Sequence, residues 1–262
     1  MKSNYRYIVK AFMAMAVIAG TTSCDDFLDR EPMSSISPET YYSTAAQLEA
    51  NLNDEYPNVL PSFGQWTYGI FGEDKGTDNQ IEVNANDRYT QDRWKVPHSE
   101  SDNWKFERIY RINFFLSEAL PKFGEDMSGS QNTISGSVAT IKHYIGEMYF
   151  LRAYEYFKKL QLFGDFPIID QPLADEMEAL REASKRFPRN EVARFIISDL
   201  DKAYAYMSDV DMATTRINKD AAMLVKSRVA LFEATWLQNF KGTAFVPGGE
   251  GWPGASLHNN YQ

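Results

Sequence analysis

The stretch VATIKHYIGEMYFLRAYEYFKKLQLF, residues 138–163, decides the fold. Ile141, Tyr144, Ile145 and Met148 recur along it at helical spacing, and no proline interrupts it, so it reads as the longest helix of the chain. Gly146 and Ala153 lie seven residues apart, and small side chains at that spacing let a neighbouring helix approach closely. Leu162-Phe163-Gly164-Asp165 ends the helix, and Phe166 to Ile169 runs extended.

Working outward, the same periodicity returns on both sides. Downstream, Val192, Phe195, Ile196, Leu200, Ala203, Tyr204 and Met207 form a buried stripe on a further helix. The next, about Lys219 to Phe240, repeats the pattern with Ala221, Leu224, Val225, Leu231, Phe232 and Trp236. Arg228 falls on that stripe and reads as a guanidinium snorkelling or paired at the core edge rather than as a ligand contact. Upstream, a helix from about Asn103 to Leu120 places Phe106, Ile109, Tyr110, Leu116 and Leu120 together, with Trp104 in the core. Pro121 and Gly124 stop it, and Ser128 to Ser137 reads as a flexible loop. Ser37-Pro38 reads as an N-cap followed by proline at a first helical position, and Thr44-x-x-Gln47 as a capping box opening a helix that Pro57 ends. Successive amphipathic helices without alternating strands predict an all-α fold of stacked antiparallel hairpins of the tetratricopeptide kind. No strict 34-residue consensus accompanies them.

Between these helices lies a long irregular insertion, about residues 58–102, with no helical period. A loop of that length inside a domain is functional or disordered. Disorder fits poorly, because Phe63, Trp66, Tyr68, Phe71, Tyr89 and Trp94 are interleaved with Asp74, Asp78, Asn79, Arg88, Asp92 and Arg93. Sugars call for this mixture: a flat aromatic face for the C–H side of a pyranose, and carboxylate, amide or guanidinium groups for adjacent hydroxyls. The candidate ligand set is Trp94 and Tyr89 as stacking platforms with Asp78, Arg88 and Arg93 as hydrogen-bonding groups. The competing role for these aromatics is to anchor the loop to the helices, and Trp66 fits that role better.

The first 23 residues are an address. Lys2, Arg6 and Lys10 precede the apolar run Ala11–Gly20, which is half the length a membrane span needs, and small residues lead to Cys24. Cys24 is the sole cysteine, and it stands where a bacterial lipobox places the residue that receives lipid, although Thr21 replaces the usual Leu. Residues 24–36 then form an anchor linker opening with Asp25, Asp26 and Asp29. Such acids resemble the signal that sends Bacteroidetes lipoproteins to the outer face of the outer membrane. Loss of the leader leaves 24 basic against 36 acidic residues, so lipid rather than surface charge would hold the protein to a membrane.

Several functions are excluded or weakened. Acids outnumber bases 36 to 27, which argues against a nucleic-acid partner. A single thiol and the scattered His98, His143 and His258 offer no metal site, and Asp74-x-x-x-Asp78-Asn79 lacks EF-hand spacing. Gly249-x-Gly251-x-x-Gly254 is interrupted by Pro253 and follows no strand, so no dinucleotide cofactor is implied. No nucleophile-elbow, zincin or P-loop pattern occurs, and no cofactor is expected.

The stretch Glu147 to Phe157, followed by Leu162-Phe-Gly-Asp-Phe-Pro-Ile168, resembles the signature helix and turn of the SusD/RagB family of glycan-binding outer-membrane lipoproteins. Cys24 to Asp29 with Pro32, Pro188 to Leu200, and Arg216 to Leu231 resemble three further blocks of that family, in order. The resemblance implies a tetratricopeptide-like scaffold with irregular binding loops, not an enzyme, that captures oligosaccharides and passes them to a SusC-like TonB-dependent transporter. Family members are longer, so residues 37–240 read as an N-terminal helical domain and 241–262, rich in Gly and Pro, as a truncated connector. The helices would equally suit an adaptor lipoprotein binding protein partners, and 36 acids leave a glycoside hydrolase open.

Overall fold

Six α-helices and one short 3₁₀ turn, with no strand, make up the described part of the computed structural model, which covers residues 41–61, 103–124, 126–208, 212 and 215–258. They are α1 Ala45–Val59, α2 Glu107–Phe123, α3 Val138–Phe163, α4 Met177–Ala183, α5 Arg189–Tyr206 and α6 Lys219–Asn239, then Pro253–Ser256. All lie within one unit, Tyr42–Gln262. Among the described residues no helix is long and apolar enough to cross a membrane.

The bounds of α3 are those the periodicity gives, but its burial is not that of an amphipathic helix. Residues around its whole circumference are buried, including His143, Glu147, Arg152, Glu155 and Lys159. The cause is its central position: α1, α2 and α5 all pack on it. Neighbouring helices run antiparallel, as paired residues show. Along α3 and α5, Gly146 meets Ala203 and Met207, Arg152 meets Asp199, and Tyr156 meets Phe195. Along α5 and α6, Arg189 meets Glu233 while Asp201 meets Lys226. For α1 and α2, Glu55 meets Arg111 while Tyr42, just ahead of α1, meets Phe115.

Gly146 is the close-approach point. A Cβ there would sit 2.8 Å from Met207 N and 2.9 Å from Ala203 O, so the end of α5 can lie against α3 only because that side chain is missing. Ala153 is fully buried two turns on. Around this seam Ile141, Ile145, Met148, Leu151, Ile196 and Ala203 are completely inaccessible. Each fully buried Ile or Leu stabilises by about 1.5–3 kcal/mol.

The capping box forms as written in the sequence: Thr44 Oγ1 accepts from Gln47 N–H (3.3 Å) and Gln47 Oε1 accepts from Thr44 N–H (3.0 Å). Helix ends depart from expectation at both prolines. Pro57 lies inside α1, which continues to Val59, and Pro121 lies inside α2, which continues to Phe123. In a last turn a proline removes only one intrahelical bond, and the following caps, Leu60 N–H to Tyr56 O and Gly124 N–H to Leu120 O, still close. At its other end α2 begins at Glu107 rather than Asn103.

Three stripes are corrected. On α2 the buried face is Ile109, Ile112, Asn113, Phe115, Leu116, Ala119 and Phe123, leaving Tyr110 51% exposed. On α5 Tyr204 points outward. On α6 only Ala222, Val229 and Glu233 are buried, while Leu224 is 72% and Leu231 67% exposed, and Arg228 is exposed. Among the described helices α6 packs chiefly on α5, so a narrow stripe suffices.

The connections are better ordered than their composition suggests. Ser135 bridges to Ser43 and Ala45 through main-chain bonds of 2.8 Å, carrying Ile134 into the core. The Gly/Pro-rich run after α6 is not a bare connector. It folds as successive turns that bury Val246 and Trp252, with the Trp252 indole N–H donating to Asp165 (2.7 Å).

Candidate functional site

Every side chain in the sequence-derived ligand set, Asp78, Arg88, Tyr89, Arg93 and Trp94, lies outside the described residues, as do Trp66, Cys24 and the leader. The structure does describe where the insertion leaves and rejoins the scaffold. It leaves after Val59, at the end of α1, and rejoins at Asn103, ahead of α2. Two consecutive residues of α3 hold these points. The Lys158 ammonium donates to the Val59 carbonyl (2.9 Å) and the Lys159 ammonium donates to the Asn103 carbonyl (2.7 Å). Glu155, one turn earlier, pairs with both, its Oε1 3.3 Å from Lys159 Nζ and its Oε2 2.5 Å from Lys158 Nζ.

Such a clamp suits its position. The last carbonyls of a helix lack intrahelical partners, and an ammonium is a strong donor to them. Holding two lysines that close on a mostly buried face requires the carboxylate between them.

Arg108 extends from α2 toward the same carboxylate, 3.9 Å away. Nearby, Glu55 is buried against Arg111, and burial raises its carboxyl above the usual value more than the arginine lowers it.

Three further arginine–carboxylate pairs frame the scaffold. Arg216 donates to both oxygens of the fully buried Glu147 (2.8 and 2.6 Å). Glu147 also accepts from the Tyr56 hydroxyl (2.8 Å), which itself accepts from Ile217 N–H (3.1 Å), and burial pushes that phenol well above its ordinary value. His143 joins this cluster. Its Nδ1 faces the Ser208 N–H (3.3 Å), a group that can only donate, so Nε2 carries the proton toward Ile217 O and Glu147, both at 3.0 Å. Arg152 donates to both oxygens of Asp199, and to Asn113 Oδ1 and Asp170 O, fixing the extended run after the turn. Arg189 holds Glu233 across α5 and α6 while its main-chain N–H donates to Asp165 (2.9 Å).

The turn residues are structural in the same sense. Gly164 caps α3 at φ +67°, a conformation glycine adopts without strain. Phe166 is completely buried and gathers Trp104 (4.8 Å), Phe106 (5.1 Å) and Phe163 (5.7 Å); Trp104 packs among aromatics but is half-buried rather than in the core, with the Arg186 guanidinium 4.6 Å over its ring. Beside the turn opens a cavity of about 590 Å³, with Leu162, Phe245 and Leu257 exposed at its rim.

Sequence reasoning missed the lysine clamp. Its one signal was Glu155-x-x-Lys158-Lys159, charges at i, i+3 and i+4 on one face of the helix.

Stacked antiparallel helices carrying a long insertion on a fixed seat define a tetratricopeptide-like presenting scaffold, all-α as the periodicity predicts. The family model described as "Starch-binding associating with outer membrane" matches residues 26–231, and the chain belongs to this SusD-like family. Among similar proteins, SusD-like protein P2 of Formosa agariphila is 25% identical over 253 residues, covering 92% of this chain and 46% of that one. SusD-like protein P25 of the same organism is 25% identical over 233 residues, covering 82% and 41%. A solved SusD-like carbohydrate binding protein from Bacteroides vulgatus superposes with a TM-score of 0.50 at 15% identity, covering 74% of this chain and 43% of that one. The chain thus spans less than half the length of the curated relatives it matches.

Proposed function

We propose that the chain is the N-terminal part of a non-catalytic, cell-surface lipoprotein. It is held in the outer membrane through Cys24, captures oligosaccharides and passes them to a SusC-like TonB-dependent transporter. The observation that carries this reading is the family match, which runs through the whole aromatic and polar insertion. The clamp on Val59 and Asn103 gives that insertion a fixed base, and a preorganised base lowers the entropy lost when a loop closes on ligand. Asp78, Arg88, Tyr89, Arg93 and Trp94 remain the proposed contacts.

The deciding experiment is a glycan screen of the full chain scored for both retention and released reducing ends. Retention without product supports the reading. Product formation would instead assign a hydrolase, and capture of a protein partner with no sugar retained would assign an adaptor.

A further inference from the structure

Three segments wall the cavity of about 590 Å³: the turn ending α3, the residues leading into α5, and the Gly/Pro-rich run after α6. Its size falls within the roughly 300–1,000 Å³ of small-molecule sites. Trp252 ties the run to the turn, because its indole N–H donates to Asp165 (2.7 Å).

One wall offers a fixed aromatic platform. Phe245 is 62% exposed, yet its main-chain carbonyl accepts from the Trp236 indole N–H (3.2 Å) and its ring meets Phe240 edge to face (5.6 Å). Phe240 in turn lies 4.4 Å from Trp236. The polar lining keeps hydrogen-bonding groups open. The exposed Gln161 amide makes no hydrogen bond among the described residues. The exposed Arg186 guanidinium lies 4.6 Å over Trp104 and pairs with no carboxylate among them.

Charge in the lining is balanced. Glu233 matches Arg189 and Glu182 matches Lys185, while Asp165 offsets Arg186. The cavity also borders the seat of the insertion: Arg186 covers Trp104, the residue after Asn103, and Leu162 stands one turn beyond Lys158.

A ligand that suits this lining carries an apolar face beside uncharged groups that both donate and accept. We propose that the cavity is a subsite for a neutral pyranose unit. Its C–H face lies on Phe245, and its hydroxyls bond to Gln161 and Arg186. This subsite rests on the glycan-binding reading above and adds to it a contact surface on the helical scaffold itself.

Calorimetry on the full chain tests it with maltohexaose, cellohexaose and oligogalacturonate. At least one neutral hexaose binds, and Phe245→Ala lowers its affinity by about tenfold. Phe245→Trp, which restores a flat ring, retains the affinity, and Arg186→Gln lowers it. Matched thermal melts show that the variants fold; should Phe245→Ala fail to fold, Arg186→Gln decides in its place. Neutral binding indifferent to Phe245→Ala overturns the subsite and leaves the glycan reading standing, and so does binding of oligogalacturonate alone. Failure of every sugar to bind overturns the glycan reading itself, and the subsite with it.

Discussion

Arg152 grips Asp199 through two hydrogen bonds, Nε to Oδ2 at 2.6 Å and Nη2 to Oδ1 at 2.8 Å, with both side chains buried. This pair joins the two most extensively packed helices, and the remaining guanidinium bonds reach Asn113 and Asp170. Removing one charge leaves the other buried and unpaired, which costs more than the pair contributes when intact. Asp199→Asn is therefore expected to lose about 3–5 kcal/mol in urea denaturation. A loss below about 1 kcal/mol would show that Arg152 does not depend on this carboxylate.

Gly146→Ala tests the close approach of α3 and α5. The added methyl meets main-chain atoms at 2.8 and 2.9 Å, and main chain cannot rotate aside. Helix propensity favours alanine by about 1 kcal/mol, but overpacking costs about 1–3 kcal/mol. The expected outcome is net destabilisation and a lower Tm. A raised Tm would mean that the end of α5 gives way freely.

Glu55 sets a pH dependence. Its folded carboxyl lies above the ordinary 4.5, with desolvation the largest cause and Arg111 opposing it. The native state therefore holds this proton more tightly than the unfolded chain, so the group's contribution to stability is present below pH 4.5 and is lost as pH rises through the raised value. Glu55→Gln cannot ionise. Its stability relative to the wild type should improve between about pH 4 and pH 7. Parallel curves in denaturant titrations at the two pH values would contradict the raised value.

Trp94 is the proposed stacking platform of the insertion. Trp94→Ala should weaken glycan binding by more than about 1 kcal/mol if the indole is a central contact. Unchanged affinity in calorimetry, with the melt intact, would return Trp94 to a loop-anchoring role.

The helices were legible because periodicity reports which residues recur on a face, and α3 agreed with it to the residue. Caps were legible for the same local reason, as Thr44 and Gln47 show. Burial was legible only where neighbours were implied. Leu224 and Leu231 satisfy the period yet face outward, because periodicity does not say how many helices pack on α6. The candidate ligand residues were chosen by composition alone, and they lie outside the described residues.

By itself, then, the sequence determined the helical class, the order of the five longer helices, the small-residue seam at Gly146 and the position of the insertion, since these follow from spacing along one chain; the seven-residue Met177–Ala183 buries no residue and left no such pattern. Tertiary structure decided the rest. It made Glu147, Arg152 and Glu155 interior charges by surrounding α3 with other helices, and it paired each with a residue far away in sequence. It also brought Lys158 and Lys159 to the two ends of an insertion more than forty residues long. Charge pairing acts over a few ångströms in space, and no spacing rule along the chain can supply that distance.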